Sequence, residues 1–127
     1  MDTDILISFL RGDEKAVTVV KKLEGIKKPL RTTIVTTYEL LKGASISSKP
    51  EENLLRVRRL VSGMEVLTLH EDACEEASKI SKELRASGRM ISEFDILIAG
   101  IVIHNDELLV SGDDHFGQVQ VLKFEKW

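Results

Sequence analysis

The sequence has 127 residues, of which 43% are apolar and 31% charged, and its net charge is −3 at pH 7. This length fits a single domain over residues 1–127, and the composition excludes a disordered or fibrous chain. The single cysteine, Cys74, excludes an internal disulfide, and no apolar stretch reaches the about 18 residues that a membrane span requires. We therefore expect a cytoplasmic protein without a membrane partner.

Helical and strand patterns alternate along the chain. The helical segments repeat apolar residues at helical spacing, and Gly43 and Gly88 end two of them. The strand segments are short and rich in β-branched residues. The predicted helices cover 4–10, 13–25, 36–44, 50–62, 71–87 and 94–103, and the predicted strands cover 30–35, 65–69, 108–112 and 119–124.

The segment 94–103 is apolar almost all round and is predicted as a buried helix, although it contains the carboxylate Asp95. Strands that alternate with helices indicate a parallel sheet covered on both faces. The expected fold class is therefore a three-layer α/β domain.

Four acidic residues lie where predicted elements begin or end beside apolar segments: Asp2, Glu39, Asp95 and Asp113. In parallel α/β sheets, ligands bind at the carboxyl ends of the strands, and acids at strand exits can converge there. Converging carboxylates repel one another unless a cation neutralises them, and oxygen ligands suit Mg²⁺ or Mn²⁺. Such a site would hydrolyse nucleic-acid phosphodiester bonds with a water activated by the metal.

Each acid taken alone also fits a structural role. An acid beside an apolar helix is costly to bury unless something binds it, which favours a site most strongly for Asp95. The structural alternatives are an N-cap or frayed end for Asp2, capping boxes for Thr36 with Glu39 and for Ser92 with Asp95, and turn residues for Asp113 and Asp114.

Four stretches resemble, in order, the motifs of the PIN-domain ribonucleases, specifically the VapC-type toxins of bacterial and archaeal toxin–antitoxin pairs. They are DTDILI, TTYELLKGA, ISEFDILIAGI and LLVSGDDHFGQV, and they span nearly the whole chain. The resemblance implies a PIN-like fold with a central parallel sheet of about five strands and helices on both faces. It also implies a metal-dependent endoribonuclease that is held inactive by a cognate antitoxin and often forms a homodimer.

The resemblance implies a role for individual residues. Asp2, Glu39, Asp95 and Asp113 would form the catalytic acidic pocket, and all but Glu39 would bind Mg²⁺ or Mn²⁺. The positions with a possible auxiliary role are Asp4, Ser111 and Asp114, while Phe116 takes an aromatic position that fits core packing.

The sequence departs from the family at its start, where only Met1 precedes Asp2 instead of several apolar residues of a central strand. Either the recorded start lies downstream of the true one, or the first strand is severely shortened. The second possibility would weaken the anchoring of Asp2.

An RNA substrate requires cations around the acidic pocket, because phosphate contacts supply most of the affinity. Each basic cluster also fits a solvated helix face, and the low aromatic content of 5% favours recognition by RNA shape over base stacking. The candidate clusters are Lys27, Lys28 and Arg31, then Arg56, Arg58 and Arg59, then Lys82, Arg85 and Arg89.

Two alternatives to a ribonuclease stay open. In a haloacid-dehalogenase-like phosphatase, Asp2 would attack phosphorus, because DTD resembles the nucleophile motif of that family and GDD its last acidic motif. This alternative leaves Glu39 and Asp95 unexplained. A non-catalytic PIN-like interaction module is the second alternative, because so little sequence precedes Asp2.

Overall fold

The computed structural model describes residues 1–26 and 29–127, and within them all six predicted helices are present. No helix in these two ranges is long and apolar enough to cross a membrane. In chain order the elements are α1 (Thr3–Leu10), α2 (Glu14–Ile26), β1 (Arg31–Thr33), α3 (Ile34–Ser45), α4 (Pro50–Ser62), β2 (Glu65–Leu67), α5 (Glu71–Ser87), α6 (Glu93–His104), β3 (Leu108–Ser111), a 3₁₀ helix (Asp114–Gln118) and β4 (Lys123–Lys126).

The strands form two parallel pairs, β1 with β2 and β3 with β4. A single sheet of about five strands is not found within the described ranges. The segment between the pairs consists of Met1 and Asp2: the amino group of Met1 donates to the Arg31 carbonyl at 2.8 Å, and the Asp2 amide donates to the Val110 carbonyl at 3.0 Å. Two residues are too few to form a strand ladder, and the Thr32 hydroxyl also donates to the Met1 carbonyl at 2.9 Å.

All four predicted strands have other bounds in the structure: β2 and β3 end early, at Leu67 and Ser111, and the larger differences concern β1 and β4. The strand expected over 30–35 ends at Thr33, because the Thr33 hydroxyl accepts a hydrogen bond from the Thr36 amide and starts α3 two residues early. The strand expected over 119–124 begins only at Lys123. Its apolar residues Val119 and Leu122 are instead buried in the segment that follows the 3₁₀ helix.

The core lies on both sides of β3. Leu109 packs into a cluster built on α5 and α6, while the next residue, Val110, packs into a cluster built on α1 to α4. Successive strand residues point to opposite faces, so β3 is buried on both sides, as the three-layer prediction requires. Phe116 is fully buried in the first cluster, which confirms its expected role in core packing.

Gly100 allows α5 and α6 to approach closely. A methyl group at this position would lie 2.7 Å from the Ala73 carbonyl oxygen and 2.9 Å from Cβ of Ala77. We expect Gly100→Ala to lower the free energy of unfolding by about 1–3 kcal/mol, because helix backbones must separate to admit the methyl group. Urea unfolding followed by circular dichroism measures this change.

The matched control is Gly43→Ala within α3, where no atom lies within 4 Å of the added methyl group. Here alanine is expected to stabilise the protein by about 0.5–1 kcal/mol, since it lowers the conformational entropy of the unfolded chain. Equal effects of the two substitutions would show that helix propensity, and not close helix packing, governs Gly100.

Candidate active site

Asp95 lies in the first turn of α6, where Ser92 is the N-cap and its hydroxyl accepts from the Asp95 amide at 3.2 Å. The predicted helix cap is therefore present, and it leaves the carboxylate half-buried beside other acids. Burial raises the pKa of Asp95 against a hydrogen bond from Ser92, and the charges of Asp113 and Glu39 raise it further. The carboxylate is thus costly to ionise without a cation.

Asp2 is held firmly although it stands near the chain end. Its carboxylate is 6% exposed and accepts a hydrogen bond from the Ser111 hydroxyl at 2.8 Å, while its amide binds the Val110 carbonyl. Asp2 occupies the N-cap position of α1, but its side chain makes no cap hydrogen bond. The side chain is therefore anchored on β3 rather than used to start the helix.

The pKa of Asp2 is raised to about 6, chiefly by burial. Hydrogen bonds from the Ser111 hydroxyl and the Thr3 backbone oppose this shift, and the charges of Asp4 and Asp95 add to it. Asp2 and Asp95 are therefore electrostatically coupled.

Ser111 connects two of the acids. Its fully buried hydroxyl donates to Asp2 and accepts from the Asp113 amide at 3.0 Å. Asp113 in turn caps the 3₁₀ helix by accepting from the His115 amide at 2.9 Å, so its predicted turn role is also present. One hydroxyl thereby fixes the separation of the first and last acidic motifs.

Replacing Ser111 by Ala is expected to lower the free energy of unfolding by about 1–3 kcal/mol, because the buried Asp2 carboxylate then loses a donor. The loss is expected to be larger at pH 7.5 than at pH 5, since only the ionised carboxylate is left without its charge-assisted bond. Urea unfolding at both pH values checks this. Ser45→Ala, at an exposed hydroxyl on α3, is the control and is expected to change stability by less than about 0.5 kcal/mol.

Glu39 is not part of a capping box with Thr36, because α3 begins at Ile34 and Thr33 is its cap. The Glu39 carboxylate instead accepts a hydrogen bond from the Thr3 hydroxyl at 2.8 Å. Thr3 lies on α1, so this helix orients one carboxylate oxygen of Glu39. The charge of Glu39 raises the pKa of Asp95.

The two acids with a possible auxiliary role, Asp4 and Asp114, have partners outside the group of four acids. Asp4 accepts from the Gly112 amide at 2.6 Å and from the Ile5 amide at 2.7 Å, which ties α1 to the end of β3. Asp114 is exposed and forms an ion pair with Lys126 at 2.9 Å.

Asp95, Asp113 and His115 can each offer one metal-ligand atom, and these atoms all lie within 4.8 Å of one another. The two carboxylates fit Mg²⁺ or Mn²⁺, which prefer oxygen ligands, and the imidazole adds a nitrogen that transition metals accept. His115 was not predicted as a site residue. Its position two residues after Asp113, in Asp-Asp-His, is the signal that points to it.

The profile of the PIN domain family matches residues 1–122. The chain belongs to the PIN-domain family. The resemblance drawn from its four motifs is thereby confirmed. The tRNA(fMet)-specific endonuclease VapC of Shigella flexneri is 30% identical over 128 residues, which cover 100% of this chain and 96% of that protein. Ribonuclease VapC2 of Haemophilus influenzae is 26% identical with the same coverage.

Solved structures share the PIN-domain fold over almost the full length. VapBC of Salmonella typhimurium bound to DNA matches with a TM-score of 0.89 and 25% identity, covering 99% of this chain and 95% of that one. VapBC2 of Rickettsia felis, bound to a promoter DNA fragment, has a TM-score of 0.90 at 22% identity and covers 99% and 96%. The second likeness concerns the fold alone.

The basic clusters differ in how near they lie to the acids of the PIN domain. Arg56 donates to the Leu10 carbonyl and lines, with Arg11 and Glu39, a cleft of about 210 Å³ between α1, α3 and α4. Arg31 is bound to Glu65 and Glu107. Arg56 therefore shares a cleft with one of the four acids, Glu39.

Lys27 and Lys28 lie outside the described residues. Lys82 and Arg85 line a second cleft, of about 480 Å³, which also includes Glu93 and Leu97 at the start of α6. The four acids predicted for the site do not line this cleft.

Proposed function

We propose that the protein is the toxin of a VapBC-type toxin–antitoxin pair and acts in the cytoplasm as a metal-dependent endoribonuclease. The observation that carries this proposal is the approach of Asp95 to Asp113, with ligand atoms within 4.8 Å, beside the buried and coupled carboxylate of Asp2. The curated relatives of this PIN-domain chain are VapC ribonucleases, which supports the same activity.

Asp2, Asp95 and Asp113 would hold the metal, with His115 available as a further ligand. The raised pKa values of Asp2 and Asp95 mean that their charges are poorly compensated by the protein alone, as expected of a cation site. When bound, Mg²⁺ or Mn²⁺ supplies positive charge that polarises water and offsets the charge on the cleaved phosphodiester. Asp4 and Asp114 are engaged by Gly112 and Lys126, and any auxiliary role would require them to leave these partners.

Glu39 is proposed to take the proton of the attacking water. The Thr3 hydroxyl donates to one carboxylate oxygen, Oε1, so Oε2 is left to accept that proton. Arg11 and Arg56 line the same cleft as Glu39 and would bind RNA phosphates there.

The test is cleavage of a labelled single-stranded RNA and of a structured RNA after removal of metal by chelation. We expect no cleavage in EDTA and restored cleavage on addition of Mn²⁺ or Mg²⁺. If the metal-replete protein neither cleaves RNA nor binds Mn²⁺ in calorimetry, the non-catalytic alternative is correct. Hydrolysis of a phosphate monoester through an acid-labile phosphoryl group on Asp2 would instead support the phosphatase.

A cognate antitoxin is the expected protein partner, because VapBC structures at 25% identity, one of them described as a member of the VapBC family of toxin–antitoxin systems, are similar to this chain. Toxicity on expression, relieved by a neighbouring open reading frame, tests this assignment. A homodimer is also proposed, and the mass of the purified protein in solution decides it.

A further inference from the structure

Two aromatic side chains lie at the surface in contact with each other. Tyr38 on α3 is 51% exposed and Phe94 on α6 is 38% exposed, and their ring centroids are 5.6 Å apart in an edge-to-face arrangement. Lys42, one helical turn after Tyr38, places its ammonium group 5.5 Å from the centroid of each ring. We refer to Tyr38, Phe94 and Lys42 as the aromatic patch.

The aromatic patch adjoins the acidic pocket on two helices. Tyr38 directly precedes Glu39 on α3, and Phe94 directly precedes Asp95 in the first turn of α6. The ring contact therefore bridges the same two helices that bring the two acids into electrostatic contact.

The exposure of these rings is unusual within the chain. All six aromatic residues are described, and the remaining four, Phe9, Phe116, Phe124 and Trp127, are buried or partly buried in the two core clusters. Lys42 forms no ion pair with a carboxylate in the described part of the chain, and its ammonium group lies 5.5 Å from the centroid of each ring. Apolar surface and an uncompensated cation thus stand together beside a group of acids.

We propose that the aromatic patch binds an unpaired nucleobase of the RNA substrate and the phosphate attached to it, next to the bond that is cleaved. This inference rests on the proposed ribonuclease function. Every nucleobase offers an apolar face to an exposed ring, and an ammonium group attracts the adjoining phosphate. A flexible single strand can present both groups to a patch of this size, whereas paired bases are stacked within their helix.

The charge of the acidic pocket opposes the binding of RNA. The acids repel the RNA backbone, and the net charge of −3 gives no long-range attraction. Stacking does not depend on charge, so it can hold a nucleotide close to carboxylates that oppose its phosphate. Although the aromatic content is low, two of the six rings are thus placed where base stacking is useful, in addition to recognition by RNA shape and backbone.

The test compares binding and cleavage of a labelled single-stranded RNA by the wild type and by Tyr38→Leu and Phe94→Leu. Binding is measured by fluorescence anisotropy in EDTA as well as with Mn²⁺. We expect KM and Kd to rise at least about fivefold in each variant with little change in kcat, because a stacked base is lost. Tyr38→Phe and Phe94→Tyr are expected to restore both constants.

Lys42→Gln removes the positive charge of the aromatic patch and keeps both rings. If Lys42 contacts one phosphate, the slope of log Kd against log salt concentration is expected to fall by about 0.7.

Leu108→Ala is the matched control for the two leucine variants, because Leu108 is 44% exposed but begins β3, at the end opposite Ser111. Its KM and Kd are expected to equal those of the wild type.

RNA strands with a single abasic nucleotide at successive positions identify the base. At one position, the abasic strand is expected to bind the wild type and Tyr38→Leu equally, because the stacking partner is already missing. A Tyr38→Leu penalty that persists at every abasic position would overturn the proposal.

Further outcomes separate a failure of the aromatic patch from a failure of the proposed ribonuclease function. Unchanged KM and Kd in both leucine variants of a wild type that cleaves RNA exclude the aromatic patch while leaving the ribonuclease function intact. If the leucine variants lose affinity for the antitoxin alone, or dissociate a dimer without weakening RNA binding, the aromatic patch is a protein interface. Absence of cleavage by the wild type, with RNA binding that still depends on Tyr38, contradicts the proposed function and not the patch.

Discussion

Replacing Asp95 by Asn is expected to reduce Mn²⁺-dependent RNA cleavage at least about 100-fold, in the range found when an acid–base or charged catalytic group is lost. The substitution keeps the shape of the side chain but removes the charge that lies beside Asp113. It also removes a charge that is costly to bury, so the fold is expected to be retained or stabilised. Single-turnover cleavage rates at saturating protein measure the chemical step.

Asp106→Asn is the matched control for Asp95→Asn. Asp106 is exposed, pairs with Lys123 at 2.7 Å, and lies just before β3, at the end opposite Ser111. Its backbone has a φ of 51°, a conformation that Asn also adopts readily. The control is expected to cleave RNA at the wild-type rate. Unchanged cleavage by Asp95→Asn would remove this residue from the site and, with it, the assignment of the acidic pocket.

The helices could be predicted because their apolar residues recur at helical spacing, and each of the six was found. The start of α3 could not be predicted, since four consecutive residues, 32–35, favour a strand by their β-branched side chains. The cap hydrogen bond from Thr33 to the Thr36 amide outweighs that preference. A local cap thus decided a boundary that composition alone placed two residues later.

The arrangement of the strands depends on contacts between distant parts of the chain. Met1 and Asp2 lie between β1 and β3 and form hydrogen bonds with both strands, and no periodicity in a two-residue segment can reveal this. Likewise, Val119 and Leu122 are buried in the same core cluster as Phe116 without belonging to a strand. Val121, between them, is 65% exposed, so the burial in this segment does not follow the alternation of a strand.

The acids proposed for the site are drawn from four motifs in a fixed order, and the structure brings Asp95 and Asp113 together. Their supporting contacts could not be predicted, because Ser111 and Thr3 reach Asp2 and Glu39 from other elements. His115 was also missed, although it follows Asp113 by two residues. Sequence motifs identify the groups with chemistry, while the hydrogen bonds that orient them arise only in the fold.

Metal-free protein is expected to become more stable as the pH falls towards 5, because of Asp2. Its pKa is about 6 in the folded protein, above the ordinary value of 3.8, so the folded state binds the proton more tightly than the unfolded state. The free energy of unfolding therefore falls as the pH rises through the interval between these two values. At pH 7 and above, the ionised carboxylate costs about 3 kcal/mol.

Asp2→Asn isolates this contribution. In EDTA at pH 7.5 the variant is expected to be more stable than the wild type by up to about 3 kcal/mol, while near pH 4 the difference disappears because Asp2 is then protonated. The Asn side chain can still accept the hydrogen bond from Ser111. Urea unfolding of both proteins from pH 4 to pH 7.5 measures the difference. Asp106→Asn is a comparison of opposite sign: the hydrogen bond from Lys123 lowers the pKa of Asp106, so this variant is expected to be slightly less stable than the wild type at pH 7.5.

Divalent metal is expected to offset the stability advantage of Asp2→Asn over the wild type at pH 7.5. A cation held by Asp2, Asp95 and Asp113 requires ionised carboxylates, so Mn²⁺ should stabilise the wild type more at pH 7.5 than at pH 5. Mn²⁺ at 100 times its Kd would add about 2.7 kcal/mol to the wild type, and Asp2→Asn should lose most of this gain. The same substitution would then stabilise the metal-free protein and weaken its response to metal. Only a buried carboxylate that is retained for cation binding predicts both effects, whereas a purely structural Asp2 would make the variant less stable in EDTA as well.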